Sequence, residues 1–210
     1  MNNRHIKIMN KKSIAFFVLS LLIFCSKSYS LEVIEILGGR ANQIAIAVPL
    51  FKEFSSQTKV GKVHGVIASD LDRSGLFNTL DTDGVSNPPS DDLNINFTRW
   101  SALDAQFIVV GKIDQTVDRM RVTWSLLDVY KEKTILSMEY AGKPSQFRAI
   151  GHKIADQVYE RLTGSKGVFH TKIAFVKKIN DSKYVLNISD YDGFNVRTIM
   201  NSGQPIISPR

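Results

Sequence analysis

Between Ile44 and Gly164 the apolar positions alternate between two periods. The run "IAIAVPLF" (44–51) is short, continuous and apolar, and predicts a buried strand. Val60, Val63, Ile67 and Leu71 recur at helical spacing with Gly75 just beyond, which predicts an amphipathic helix of about four turns with a glycine stop. "LFNTLD" (76–81) predicts a strand. "DTDGVSNPPSDD" (81–92) has no apolar period and is rich in turn formers, so it reads as a loop. Phe97, Trp100 and Leu103 suggest a short helix, and "QFIVVGKID" (106–114) a strand. In "RMRVTWSLLDVY" (119–130), Met120, Val122, Trp124 and Leu126 alternate with Arg119, Arg121, Thr123 and Ser125, giving one packed and one wetter face.

Lys131-Glu132-Lys133 marks a turn, and "TILSMEYAG" (134–142) returns as a strand. From Pro144 to Thr163 a helix carries Phe147, Ile150, Ile154, Val158 and Leu162 on one face, with Gly164 as its stop. Strands and helices in this order describe an α/β amino-terminal domain over 31–165, a mixed sheet with two main helices. Over 166–210 the helical period disappears. "KIAFVKK", "KYVLNISDYDG" and "NVRTIMNSG" are short strands opening an all-β domain, and two or three strands cannot close a core. The expectation is that another chain completes the sheet or that the sequence is a truncated product.

The front of the chain changes the charge balance. Residues 1–30 carry Arg4, Lys7, Lys11, Lys12 and Lys27, no acid, the apolar run Ile14–Cys25, and then Ser26, Ser28 and Ser30. That reads as a secretory signal peptide, with cleavage expected between Ser30 and Leu31 and an uncleaved anchor as the alternative. Twelve apolar residues span about 18 Å, short of the roughly 30 Å hydrocarbon core, and bulky Phe24 disfavours lipidation at Cys25. The chain's net charge of +7 comes from 27 basic and 20 acidic residues, and five of the basic ones lie in the signal, so +2 remains. No basic stripe is left for nucleic acid. The single cysteine, Cys25, leaves with the signal, so no thiol or disulfide is expected in the exported chain.

Candidate chemistry is thin. His5 lies in the signal, and His64 reads as a satisfied, partly buried helical residue. His152 and His170 lack acidic or histidine neighbours at metal-ligand spacing, and Asp156, four residues after His152, reads as its helical side-chain partner. "DTDG" (81–84) and "DYDG" (190–193) lack the further ligands of a calcium loop. "LTGSKG" does not fit a phosphate loop, and Ser69, Ser74 and Ser101 sit in no nucleophile elbow. Trp100 and Trp124 are expected in the core. Neither a metal nor a cofactor is expected, and no catalytic residue.

"SDYDGFNVRTIMNSGQPIISPR" (189–210), "HKIADQVYERLTGSKGVFHTKIAFV" (152–176), "SDLDRSGLF" (69–77) and "AVPLF" (47–51) resemble the TolB family, the periplasmic component of the Tol–Pal envelope system. The resemblance implies an α/β domain followed by a six-bladed β-propeller. The family's further "SPDG" repeats do not follow here. It also implies a non-catalytic periplasmic adaptor, peripheral to membranes and without a small-molecule substrate. Its propeller docks the lipoprotein Pal, its amino-terminal segment docks the carboxy-terminal domain of TolA, and it supports envelope integrity and outer-membrane constriction at division.

By position, that segment is Leu31, Glu32, Val33, Ile34, Glu35, Ile36 and Leu37. Alternation puts Leu31, Val33, Glu35 and Leu37 on one face and Glu32, Ile34 and Ile36 on the other. An extended β-prone terminus can add itself to a partner's sheet edge. Ile34 and Ile36 are then the expected contacts, and Glu32 and Glu35 the register-setting charges. The segment also reads as an edge strand of its own domain, and the two readings coexist if it docks there and is released. The competing class is a periplasmic hydrolase or small-ligand-binding protein.

Overall fold

The computed structural model describes residues 43–55, 62–91 and 93–207. The signal, Ser30 and the segment Leu31–Leu37 lie outside the described residues. Every described residue belongs to the unit Gly39–Arg210.

Strand β1 (Ile44–Ala47) pairs in parallel with both β3 (Phe77–Leu80) and β4 (Phe107–Gln115). β4 continues antiparallel to β5 (Met120–Asp128), and β5 to β6 (Lys133–Gly142). The run 44–51 is not one strand. The chain leaves the sheet after Ala47 and rejoins it as β2 (Lys52–Ser55), parallel to the far end of β4. Two residues explain the break. Pro49 has no N–H to offer a ladder, and the Phe51 ring lies so close over Gly111 that a Cβ there would sit 2.5 Å from Phe51 Cε2.

Helix α1 (Val63–Arg73) is three turns long and ends at Ser74. Gly75 follows at φ 75°, a left-handed conformation that glycine adopts without strain. A short helix α2 (Phe97–Ser101) is capped by the Asn96 side chain, which accepts the Arg99 N–H at 3.0 Å. Helix α3 (Phe147–Thr163) follows a 3-10 turn over Pro144–Gln146, and Gly164 caps it at φ 77°.

α1 and α3 share one face of the sheet. There Val63, Ile67 and Leu71 meet Ile150, Ile154 and Val158 over Val109, Ile113, Val122 and Trp124. The helices touch at Gly151, where a Cβ would come within 2.8 Å of Val66 Cβ. On the opposite face, Trp100 and Ala105 cover Ala47, Ile108 and Val110. β4 is therefore buried on both faces, as its continuous apolar run demands. β5 keeps its expected alternation only at first. Ser125 is buried against the Ser137 hydroxyl at 2.6 Å, and Leu127 enters the second core.

The remaining strands form an antiparallel sheet of β7 (Lys172–Asn180), β8 (Lys183–Asp190) and β9 (Arg197–Ser202) in that order. β9 leaves Ile199 and Met200 exposed. Among the described residues, no helix is long and apolar enough to cross a membrane.

Candidate functional site

The strongest concentration of chemistry lies where α1, α3 and the β8–β9 turn meet. Asp70 faces α3 from the middle of α1 and is fully buried. A buried carboxylate must be paired, and this one receives Arg73 at 3.2 Å and His152 Nδ1 at 2.5 Å. Because a carboxylate only accepts, the His152 Nδ1–H donates. Nε2, on the other side of the ring, lies 3.7 Å from Asp192 Oδ2 and has no hydrogen-bond partner among the described residues.

Asp192 reaches this point because "DYDG" forms a tight turn. Gly193 adopts φ 84°, its N–H bonds to the Asp190 carbonyl at 2.9 Å, and the Phe194 N–H bonds to Asp192 Oδ1 at 3.2 Å. Arg148, one helical turn before His152, forms an ion pair with Asp192 and lays its guanidinium over the Phe194 ring, 3.8 Å from the centroid. Beneath the turn, Asp190 accepts from Lys172 and Asn195. Burial alone would raise the Asp190 pKa, but these hydrogen bonds and the Lys172 charge outweigh it and hold the carboxyl below its ordinary value.

Asp156 does not pair with His152. One turn further along α3, its carboxylate accepts the Phe169 N–H at 2.8 Å and the His170 N–H at 3.1 Å. It thus anchors the connection into β7, and Gly167 passes so close that a Cβ there would run into Asp156 Oδ1. The helical pair expected from spacing loses to two backbone donors that need an acceptor. An aromatic series runs alongside. Phe77 and Tyr159 lie 6.0 Å apart, Tyr159 and Phe169 5.5 Å, and Phe169 and Tyr191 5.7 Å, the last two edge to face.

One ligand atom each from Asp70, His152 and Asp192 falls within 4.8 Å of the others. The helix-spacing argument missed this triad because its carboxylates come from other elements. The donor set fits a metal ion poorly, since Arg73 already pairs with Asp70 and Arg148 with Asp192. Nor does it fit a hydrolase. No hydroxyl is bonded to His152 among the described residues, and the ring is 3% exposed. The arrangement ties secondary-structure elements together.

The other expected sites are ordinary. Asp81 Oδ1 accepts the Asp83 N–H at 2.9 Å, a plain turn, and both tryptophans are buried. Burial, then the Lys62 charge, lowers the His64 pKa against an opposing effect of Asp83. Burial, then Lys153, lowers that of His170.

Comparison with known proteins extends this reading. A sequence model of the TolB amino-terminal domain matches residues 32–135, and one of the TolB β-propeller domain matches residues 159–210. The Tol-Pal system protein TolB of Methylobacillus flagellatus is 42% identical over 207 residues, covering 96% of this chain and 48% of that protein. That of Nitrosomonas europaea is 40% identical over 193 residues, covering 91% and 44%. The crystal structure of TolB from Acinetobacter baumannii superposes with a TM-score of 0.66 at 29% identity, over 80% of this chain and 41% of that one. The chain spans about half the length of the curated relatives it matches. Its β7–β9 sheet falls within the propeller match, as part of a propeller behind a mixed α/β sheet.

Proposed function

The chain belongs to the TolB family, and we propose from that premise that it acts as a non-catalytic periplasmic adaptor of the Tol–Pal system. Residues 1–30 export it and are removed between Ser30 and Leu31. Residues 31–165 then form the amino-terminal domain, and 166–210 the first strands of the propeller. Leu31–Leu37 pairs with a sheet edge of the TolA carboxy-terminal domain, Ile34 and Ile36 packing against it while Glu32 and Glu35 set register. The propeller side faces Pal, and the adaptor supports envelope integrity and outer-membrane constriction.

The observation carrying this reading is the family match itself, which runs in order along the chain and begins at Glu32, inside the proposed docking segment. Strand addition suits a short β-prone peptide because backbone hydrogen bonds supply affinity while alternate side chains supply selectivity. Calorimetric titration of the chain with purified TolA carboxy-terminal domain tests it. Saturable binding that disappears when residues 31–37 are deleted is expected. Equal affinity with and without the segment would refute it.

A further inference from the structure

Arg148, His152 and Asp156 recur at every fourth position along one face of α3, and each holds something beyond the helix. Arg148 holds the β8–β9 turn, and Asp156 the chain entering β7. His152 holds Asp70 through Nδ1 but leaves Nε2 buried opposite Asp192 Oδ2 at 3.7 Å. With one proton on the ring, Nε2 is an acceptor facing another acceptor in a site closed to water, and its hydrogen-bonding capacity is wasted.

A second proton would turn Nε2 into a donor aimed at Asp192, and a shift of under an ångström would close the bond. We propose that His152 is a proton-operated latch. Doubly protonated, its ring bridges Asp70 of α1 to Asp192 of the β8–β9 turn and clamps the three-stranded sheet against the α/β layer. Singly protonated, it releases the turn from that bridge while keeping Asp70.

The charges facing the ring come from every element around it. Asp70 (α1) and Asp192 and Asp190 (the turn) bring negative charge to it, whereas Arg73 on α1, Arg148 on α3, Lys172 on β7 and His170 in the connection bring positive charge. Arg73, Arg148 and Lys172 each already engage one of the three carboxylates. Because the bridge to Asp192 needs a proton on Nε2, the clamp tightens on acidification. His170, whose pKa is depressed, works with the opposite sign. Its stabilising contribution is present above the ordinary histidine value and is lost as pH falls. The direction of the effect thus separates the two histidines.

Amide hydrogen exchange on the full chain, corrected for intrinsic rates, reads the latch at Asp190, Gly193 and Phe194, whose N–H groups are bonded within the turn. Between about pH 8 and about pH 5.5, their protection should rise about tenfold while that of β4 does not. His152→Gln and Asp192→Asn should each abolish the rise, and His170→Gln should preserve it. Asp192 lies in the β8–β9 turn, outside the helix, so Asp192→Asn keeps the test decisive if the helix variant fails to fold. A flat profile in the unaltered protein, or the same rise in Asp192→Asn, would overturn the proposal. Closure at about pH 8 on adding zinc to chelator-treated protein would also overturn it, because the triad would then answer to a metal.

Discussion

Phe169 sits where the α/β layer hands over to the three-stranded sheet, and replacing it probes that join. The side chain is 2% exposed, belongs to the main core, and lies edge to face between Tyr159 at 87° and Tyr191 at 72°. Truncating a buried phenylalanine to alanine costs about 3–5 kcal/mol. Within that, each aromatic pair accounts for about 0.5–1.5 kcal/mol. Domain stabilities are about 5–15 kcal/mol, so the loss is a large fraction of the total. At about 2–4 °C per kcal/mol, the midpoint should fall by roughly 10 °C.

Phe169→Leu keeps much of the volume and loses the edge contacts, so about 1–2 kcal/mol is expected. Urea unfolding followed by the fluorescence of Trp100 and Trp124, both in the α/β layer, gives the stability. Limited proteolysis across 164–171 reports on the join. In Phe169→Ala that connection should become cleavable while the tryptophans remain buried. A loss below about 1 kcal/mol, with an intact connection, would refute the idea that Phe169 fastens the two sheets.

Three further outcomes are expected. Gly167→Ala must displace Asp156 or the chain, because its Cβ would lie 2.7 Å from Asp156 Cα as well as against the carboxylate. It should cost about 1–3 kcal/mol by thermal unfolding. His64 and His170 have depressed pKa values, so the stability they contribute is complete above about pH 6.5 and falls as pH drops. The double variant His64→Gln/His170→Gln should flatten the unfolding free energy between about pH 7 and about pH 5. Asp190, held below its ordinary value, stabilises its turn above about pH 4 and loses that effect as pH falls. Asp190→Asn should remove this acid-limb component from the exchange of the turn amides.

What the sequence displayed and what it hid follow from range. α3 was legible because its apolar face and Gly164 are local signals, and β5 because Met120, Val122, Trp124 and Leu126 obey a period of two. The break after Ala47 was hidden because its cause couples Phe51 to Gly111, sixty residues on. The Asp70–His152 pair spans 82 residues and Arg148–Asp192 spans 44. Spacing along a single helix cannot register either pair, and that rule pairs His152 with Asp156, the nearest acid it can reach. The resemblance named the family correctly. It could not show that the "DYDG" turn also brings Asp192 against Arg148 and His152 of α3.

Strand addition by the leading segment is best tested at its own backbone. Isotopically labelled chain, cleaved between Ser30 and Leu31, would be titrated with unlabelled TolA carboxy-terminal domain, and amide exchange followed from Leu31 to Leu37. Slowed exchange at alternate amides, the pattern of one strand edge pairing with a partner, is expected. Saturation of the complex with every amide of that segment exchanging as in the free chain would contradict it.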